Sequence, residues 1–202
     1  MSSDFNAIYA AEQIRRRSSL LRRMVKAGYL ANLTRRFDGP TIDLGCGAGQ
    51  LLERLPPGSV GLEFNIALLE HLKRLHLDVL QYDAIADGFS LSPLFDTGRG
   101  PYRHLVCAHV IEHFDDPALA VRNLLLSGAR LGLESMVFVV PGKKGFSTDA
   151  THRVFVTEDY IRLQNLAECG PFHLGSVEYF PGNTRWLGDW FAYHECILTW
   201  RR

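Results

Sequence analysis

The run Thr41-Ile42-Asp43-Leu44-Gly45-Cys46-Gly47-Ala48-Gly49-Gln50, followed by Leu51-Leu52-Glu53-Arg54-Leu55, reads as buried strand, tight loop and helix. Three alternating glycines allow positive φ and close approach of a ligand to the backbone, and a helix start offers free N–H donors. A dinucleotide fits poorly, because the third glycine of G-x-G-x-x-G would fall at position 50, which is Gln50. No Gly-Lys-Ser/Thr follows, so a Walker loop is absent. Asp43 sets a negative charge two residues before the first glycine, which disfavours a pyrophosphate and suits a cationic ligand.

Downstream, strand and helix patterns alternate: strands over 59–64, 78–82, 104–109 and 136–140, helices over 49–55, 66–76 and 117–131. Asp115-Asp116-Pro117 starts the last of these helices, and Thr157 caps another. Two further strands are expected at 172–180 and 194–200. Residues 85–103, rich in Gly and Pro, are expected to hold a shortened helix or an extended loop. Alternation of this kind specifies an α/β fold, a mainly parallel sheet with helices on both faces.

Asp43-Leu44-Gly45-Cys46-Gly47-Ala48-Gly49 resembles the first motif of class I S-adenosylmethionine-dependent methyltransferases. Glu63, 18 residues after Gly45, is similar to that family's ribose-binding acid, and Asp83, 20 further on, to its adenine-binding Asp. His104–Phe114 resembles the fourth strand and the loop that closes over the cofactor. The resemblance spans about residues 36–202. It implies a Rossmann-like seven-stranded sheet of order 3-2-1-4-5-7-6, strand 7 antiparallel. It also implies S-adenosylmethionine as cofactor, with S-adenosylhomocysteine as product. Carried onto this chain, Asp43, Gly45 and Gly47 would hold the methionine half, Glu63 the ribose, Asp83 the adenine, and His109 the floor beside the sulfonium. Cys46, Gln50, Phe64 and Ala84 are expected to bind the cofactor as well.

Two histidines are candidate catalytic groups, His109 at the end of the fourth strand and His152 after the fifth, where open α/β sheets bind ligands. Each also fits a hydrogen-bonded histidine with no part in chemistry. Thr151–Thr157 resembles a stretch found in small-molecule methyltransferases related to the ubiquinone-pathway O-methyltransferases. His109-Val110-Ile111-Glu112-His113 matches the H-x-x-E-H zinc-peptidase string, but its place after a strand of a cofactor fold argues against that reading. It is also similar to the Glu-x-x-Glu-His of the methyltransferases that modify the 2′-hydroxyl of small RNAs, where a distant histidine, here His152, would complete a divalent site. His109 stands where that family has Glu, and no metal ligand is assigned. The expected function is methyl transfer to oxygen or nitrogen of a small-molecule or glycan-type acceptor. The alternatives are metal-assisted RNA 2′-O-methylation and a non-catalytic cofactor-binding scaffold.

The 202 residues suit one domain, with residues 1–38 as an N-terminal helical cap (helical over 5–36) and 39–202 as the cofactor-binding core. Formal charge is zero, although residues 1–40 carry eight Lys/Arg against three Asp/Glu. No set of stacking aromatics is interleaved with those arginines, among which only Tyr29 falls, so nucleic acid is not the expected partner. Cys46, Cys107, Cys169 and Cys196 lack CxxC pairing and fit free thiols in a reducing compartment. With neither a secretory leader nor an apolar run of membrane length, a cytoplasmic protein without membrane insertion is expected, as monomer or homodimer. The aromatic stretch Phe180–His194 is expected to line an acceptor pocket, form a dimer contact or pack as a satellite cluster.

Overall fold

The computed structural model describes residues 20–202. The part of the predicted N-terminal helix over 5–19 lies outside them. Helix α1 (Leu20–Thr34) leads into β1 (Thr41–Leu44), β2 (Val60–Glu63), α2 (Ile66–Arg74), β3 (Val79–Gln81), α3 (Ser92–Asp96) and β4 (His104–Ala108). There follow α4 (Pro117–Leu131), β5 (Ser135–Pro141), α5 (Lys143–Phe146), α6 (Glu158–Leu163), β6 (Glu168–Cys169), β7 (Phe172–Phe180) and β8 (Glu195–Arg201). Among the described residues no helix is long and apolar enough to cross a membrane.

One sheet runs β3-β2-β1-β4-β5-β8-β7-β6. The first five strands pair in parallel, and β8 is antiparallel to both β5 and β7. Without β6 this is the expected order. The expectation of seven strands is corrected to eight by β6, a two-residue edge strand that the turn at Gly170 folds back onto β7.

Central strands alternate between two apolar layers. Leu105, Cys107, Phe138 and Trp200 face one core, while Val106, Val137, Val139 and Ile197 face the other with Leu33 of α1 and Leu72 of α2. That double burial is why β4 and β5 read as continuous apolar runs. Helix starts follow local chemistry. Asn65 accepts from the Ala67 and Leu68 amides, Asp116 from Leu119 with Pro117 next, and Thr157 from Tyr160.

The predicted helix over 49–55 is not an α-helix; a 3-10 turn at Leu52–Arg54 takes its place. The cause is Pro56, which drives the preceding Leu55 to ψ 157° before a second turn can form. Residues 85–103 contain only the short α3, as the Gly and Pro content implied.

The glycine loop lies tightly on β2. A Cβ on Gly61 would sit 2.6 Å from Cys46 Sγ and 2.7 Å from Leu52 Cδ2. Gly61→Ala should therefore destabilise the protein by about 2 kcal/mol in urea unfolding, by forcing loop and strand apart.

Candidate functional site

The site is assembled at the carboxyl ends of β1, β2, β4 and β5, where parallel strands deliver loops to one edge of the sheet. Beyond β1 the chain turns through Gly45 (φ 72°), Gly47 (φ 53°) and Gly49 (φ 77°), a path that side chains with a Cβ rarely follow. The Gly45 amide donates to the Leu62 carbonyl at 2.8 Å, pinning the loop to β2. A Cβ on Gly45 would collide with Val110, whereas one on Gly47 would meet nothing closer than 4.0 Å. The loop is closed on the protein side and open on the other.

Glu63, the last residue of β2, is buried. Its Oε2 accepts the Gly47 amide and its Oε1 the Asn65 amide, both at 2.8 Å. Burial raises its pKa despite these bonds. Asp43, also buried, leaves Oδ2 without a partner. Burial first and the Glu63 charge second push its pKa up to about 7. Asp83 holds a turn, its Oδ1 accepting the Ile85 and Ala86 amides at 3.1 Å.

His109 follows β4 at φ 58° and donates its amide to Val139 at 2.9 Å. Its ring lies between two carboxylates, Nδ1 3.4 Å from Glu112 and Nε2 3.3 Å from Glu195, and is 34% exposed. Burial works to lower its pKa, but Glu195 and Glu112 outweigh it and raise the pKa to about 10. An imidazolium at neutral pH has no lone pair to take a proton, so this geometry makes His109 a fixed cation rather than the base expected of it.

Glu112 has no exposed surface, and neither carboxylate oxygen accepts a hydrogen bond among the described residues. His113 and His152 stand beside it, and one ligand atom from each of the three lies within 4.8 Å of the others. His152 Nδ1 lies 2.8 Å from the Phe146 carbonyl, and His113 Nδ1 lies 3.2 Å from the Thr151 carbonyl. A carbonyl only accepts, so both Nδ1 atoms carry protons, and in a neutral ring the lone pair falls on Nε2. Burial foremost lowers the His113 pKa, keeping that ring neutral. The donor set (one buried carboxylate and two imidazoles) fits a divalent transition metal.

A single cavity of about 650 Å³ is lined by every sequence-predicted residue: Asp43, Gly45, Cys46, Gly47, Gln50, Glu63, Phe64, Asp83, Ala84, His109 and His152. His113 lines it as well. Sequence reasoning missed Tyr29 and Glu195. Tyr29 lines the cavity from α1, its ring 6.2 Å from His109 and its buried hydroxyl without a hydrogen-bond partner among the described residues. The (i, i+4) relation of Tyr29 to Leu33 was a visible signal for its burial. For Glu195 the only local signal was a charged residue opening an otherwise apolar strand.

No family model matches the sequence, and no curated protein matches it. Solved structures do. An Anabaena variabilis SAM-dependent methyltransferase aligns over 98% of this chain and 94% of its own, with 15% identity and a TM-score of 0.63. Magnesium protoporphyrin IX methyltransferase from Synechocystis, solved with bound SAH, aligns over 98% and 96%, with 15% identity and a TM-score of 0.61. The methyltransferase domain of bacterial CtHen1 aligns over 88% and 97%, with 17% identity and a TM-score of 0.59. The chain thus has the Rossmann-like fold of class I SAM-dependent methyltransferases.

The raised Asp43 pKa makes stability depend on pH. Because the folded value lies above the ordinary one of 3.8, its contribution is full in acid and is lost as pH rises through about 7. The Tm of the native protein should fall between pH 5 and pH 8, and Asp43→Asn should flatten that fall; the raised Glu63 would leave a residual slope.

Proposed function

We propose that the protein is an S-adenosylmethionine-dependent methyltransferase acting on oxygen or nitrogen of a small acceptor. The observation that carries this reading is the convergence of all ten expected cofactor residues on one cavity. The open side of Gly47 is the cradle that a Cβ would fill, and the buried Asp43 Oδ2 has no hydrogen-bond partner among the described residues. Gly45, Cys46, Gly47 and Gln50 would hold the methionine half, and Asp43 would face its ammonium. Glu63 and Phe64 would hold the ribose, and Asp83 and Ala84 the adenine. The cofactor supplies a methyl already activated on a sulfonium, so the protein's part is alignment, water exclusion and removal of a proton.

His152 is the better placed base. Its Nδ1 is anchored on the Phe146 carbonyl and its ring is stacked on Phe146 at 5.2 Å, so in a neutral ring the lone pair falls on Nε2. His109, held between Glu112 and Glu195, instead balances charge on the cavity floor. Tyr29 and Leu30 of α1 cover the cavity and shield it from water.

A second reading, metal-assisted methylation of an RNA 2′-hydroxyl, is favoured by one observation: the buried Glu112 carboxylate, without a hydrogen-bond partner among the described residues, beside the His113 and His152 imidazoles. Glu112, His113 and His152 would hold the ion, and a divalent cation there would lower the pKa of a bound hydroxyl.

Calorimetry with S-adenosylmethionine should give saturable binding. Gly47→Arg should abolish it by filling the cradle, and Glu63→Ala should weaken it about tenfold or more. Unchanged binding in both would refute the site. With an acceptor identified by following methyl incorporation into a metabolite extract, His152→Ala should lower kcat about a hundredfold or more while leaving cofactor affinity intact. Binding with no turnover on any acceptor would favour a scaffold.

The metal reading has its own readout. Mn²⁺ added to the purified protein should give a bound-ion paramagnetic resonance spectrum that Glu112→Gln and His152→Ala each abolish. A free-ion spectrum in the native protein would remove this reading and leave the first one standing.

A further inference from the structure

The chain between β7 and β8 holds aromatic side chains out in water. Trp186 is 64% exposed, Trp190 78% and Tyr193 51%, with Phe191 at 38% between the last two. Phe191 and Tyr193 pack edge to face at 5.7 Å. Of the three indole N–H groups in the chain, only that of Trp200 is hydrogen-bonded among the described residues, to the Leu166 carbonyl. A lone exposed apolar residue needs no explanation, but four aromatic ones on a single loop mark a contact surface.

This loop runs between two cavities. Tyr193 and Ala192 line the 650 Å³ cavity, and Tyr193, half exposed, stands at its mouth. Trp186, with Phe155, Lys143 and Arg185, lines a second cavity of about 720 Å³ on the far side. Basic residues flank the aromatic ones. Lys143 and Lys144 of α5 are exposed and form no ion pair among the described residues. Their helix packs directly on the loop, since a Cβ on Gly145 would lie 2.7 Å from the Ala192 carbonyl oxygen. Arg185 is paired with Asp159, and Asp189 is the loop's own exposed acid.

Helix α1 borders the same mouth. It brings Tyr29 and Leu30 to the 650 Å³ cavity and carries Arg22, Arg23 and Lys26 in its first two turns. A Cβ on Gly28 would lie 3.5 Å from Phe180 Cζ, at the point where the aromatic loop departs from β7. The mouth is thus framed by an aromatic loop and by two helices that bear lysine and arginine.

These features select a partner. Aromatic rings with a polar tip, together with lysines on long aliphatic stems, settle at the headgroup level of a bilayer. The apolar area anchors, and the basic residues add attraction to anionic lipid. Nucleic acid fits less well. Asp83, Asp149 and Glu195 line the cavity beneath and would repel a phosphate chain laid across it, whereas a bilayer touches only the rim.

We infer that the aromatic loop and its basic flanks are a docking surface for an anionic phospholipid bilayer. The contact is interfacial: among the described residues no helix is long and apolar enough to cross a membrane. Docked in this way, the mouth beside Tyr193 faces the lipid, and an acceptor dissolved there would reach the site without crossing water. That last step rests on the methyltransferase reading; the docking does not.

The test is flotation of the full chain with vesicles of phosphatidylcholine alone or with about one-third phosphatidylserine. Binding to the mixed vesicles should be about tenfold tighter or more, and should fall as salt rises. Lys143→Glu with Lys144→Glu should weaken it about tenfold or more, and Trp186→Ser with Trp190→Ser to a similar degree. All four residues are exposed, so neither pair of changes disturbs the core. Brominated acyl chains should quench the tryptophan fluorescence of the native protein. Trp186→Phe with Trp190→Phe, which leaves only the buried Trp200, should lose that quenching. No binding to the mixed vesicles, equal binding to both kinds, indifference to either pair of substitutions, or unquenched fluorescence overturns the inference. So does an oligouridylate that binds more tightly and displaces the vesicles, which would assign the surface to RNA. Vesicle binding requires no cofactor. A native protein that bound vesicles but no S-adenosylmethionine would lose the methyltransferase reading alone, and the reverse result would remove the docking surface alone.

Discussion

One buried carboxylate organises the edge of the sheet. Glu63 takes the Gly47 amide on one oxygen and the Asn65 amide on the other, so the loop after β1 and the start of α2 are fixed by the same residue. The strands would align without it, since their ladder is independent of side chains. Their loops would not. A loop with three residues at positive φ has little intrinsic preference for one shape, and two hydrogen bonds to a charged acceptor, each worth about 1.5–3 kcal/mol, select it.

Holding that loop with an acid has a consequence for charge. Glu63, Asp43, Glu112 and Glu195 are brought to one cavity or its wall, and His109 is the cation placed among them. Asp83 and Asp149 line the cavity as well, and this excess of carboxylates over one imidazolium is tolerated in part by protonation of Asp43, whose pKa is raised to about 7. A site in this condition favours a cationic ligand, because the ligand's charge replaces protons that the carboxylates would otherwise retain.

Much of this was legible in the sequence, and the boundary is physical. The bounds of α4 and β7 were readable because capping chemistry and residue periodicity are local: Asp116-Pro117 starts one, and turn residues flank the other. The glycine loop and both downstream acids were readable because the chain visits strand ends at regular intervals. The 3-10 turn at Leu52–Arg54 was also within reach, since Pro56 stood in view. The state of His109 was not. It depends on Glu195, 86 residues away, which reaches the ring only because β8 inserts antiparallel beside β5. Tyr29 comes from a helix whose docking angle no local pattern encodes.

The pairing of His113 with His152 has the same non-local origin, yet its cause can be stated. The amides of Arg153 and Val154 both donate to the Glu112 carbonyl, at 2.8 and 3.2 Å. The backbone of Glu112 therefore holds the segment carrying His152, while the side chain of Glu112 points at the ring so delivered, 3.8 Å from Nε2. Thr151 adds a second tie, with its hydroxyl 2.6 Å from Asp149 and 3.0 Å from His113 Nδ1. Meanwhile both carboxylate oxygens of Glu112 lack a hydrogen-bond partner among the described residues, and the His109 ring 3.4 Å away gives only partial compensation. A fold that spends four hydrogen bonds on bringing two imidazole lone pairs to an orphaned carboxylate has built a place for a positive charge. A proton taken from an acceptor and a divalent ion both meet that description.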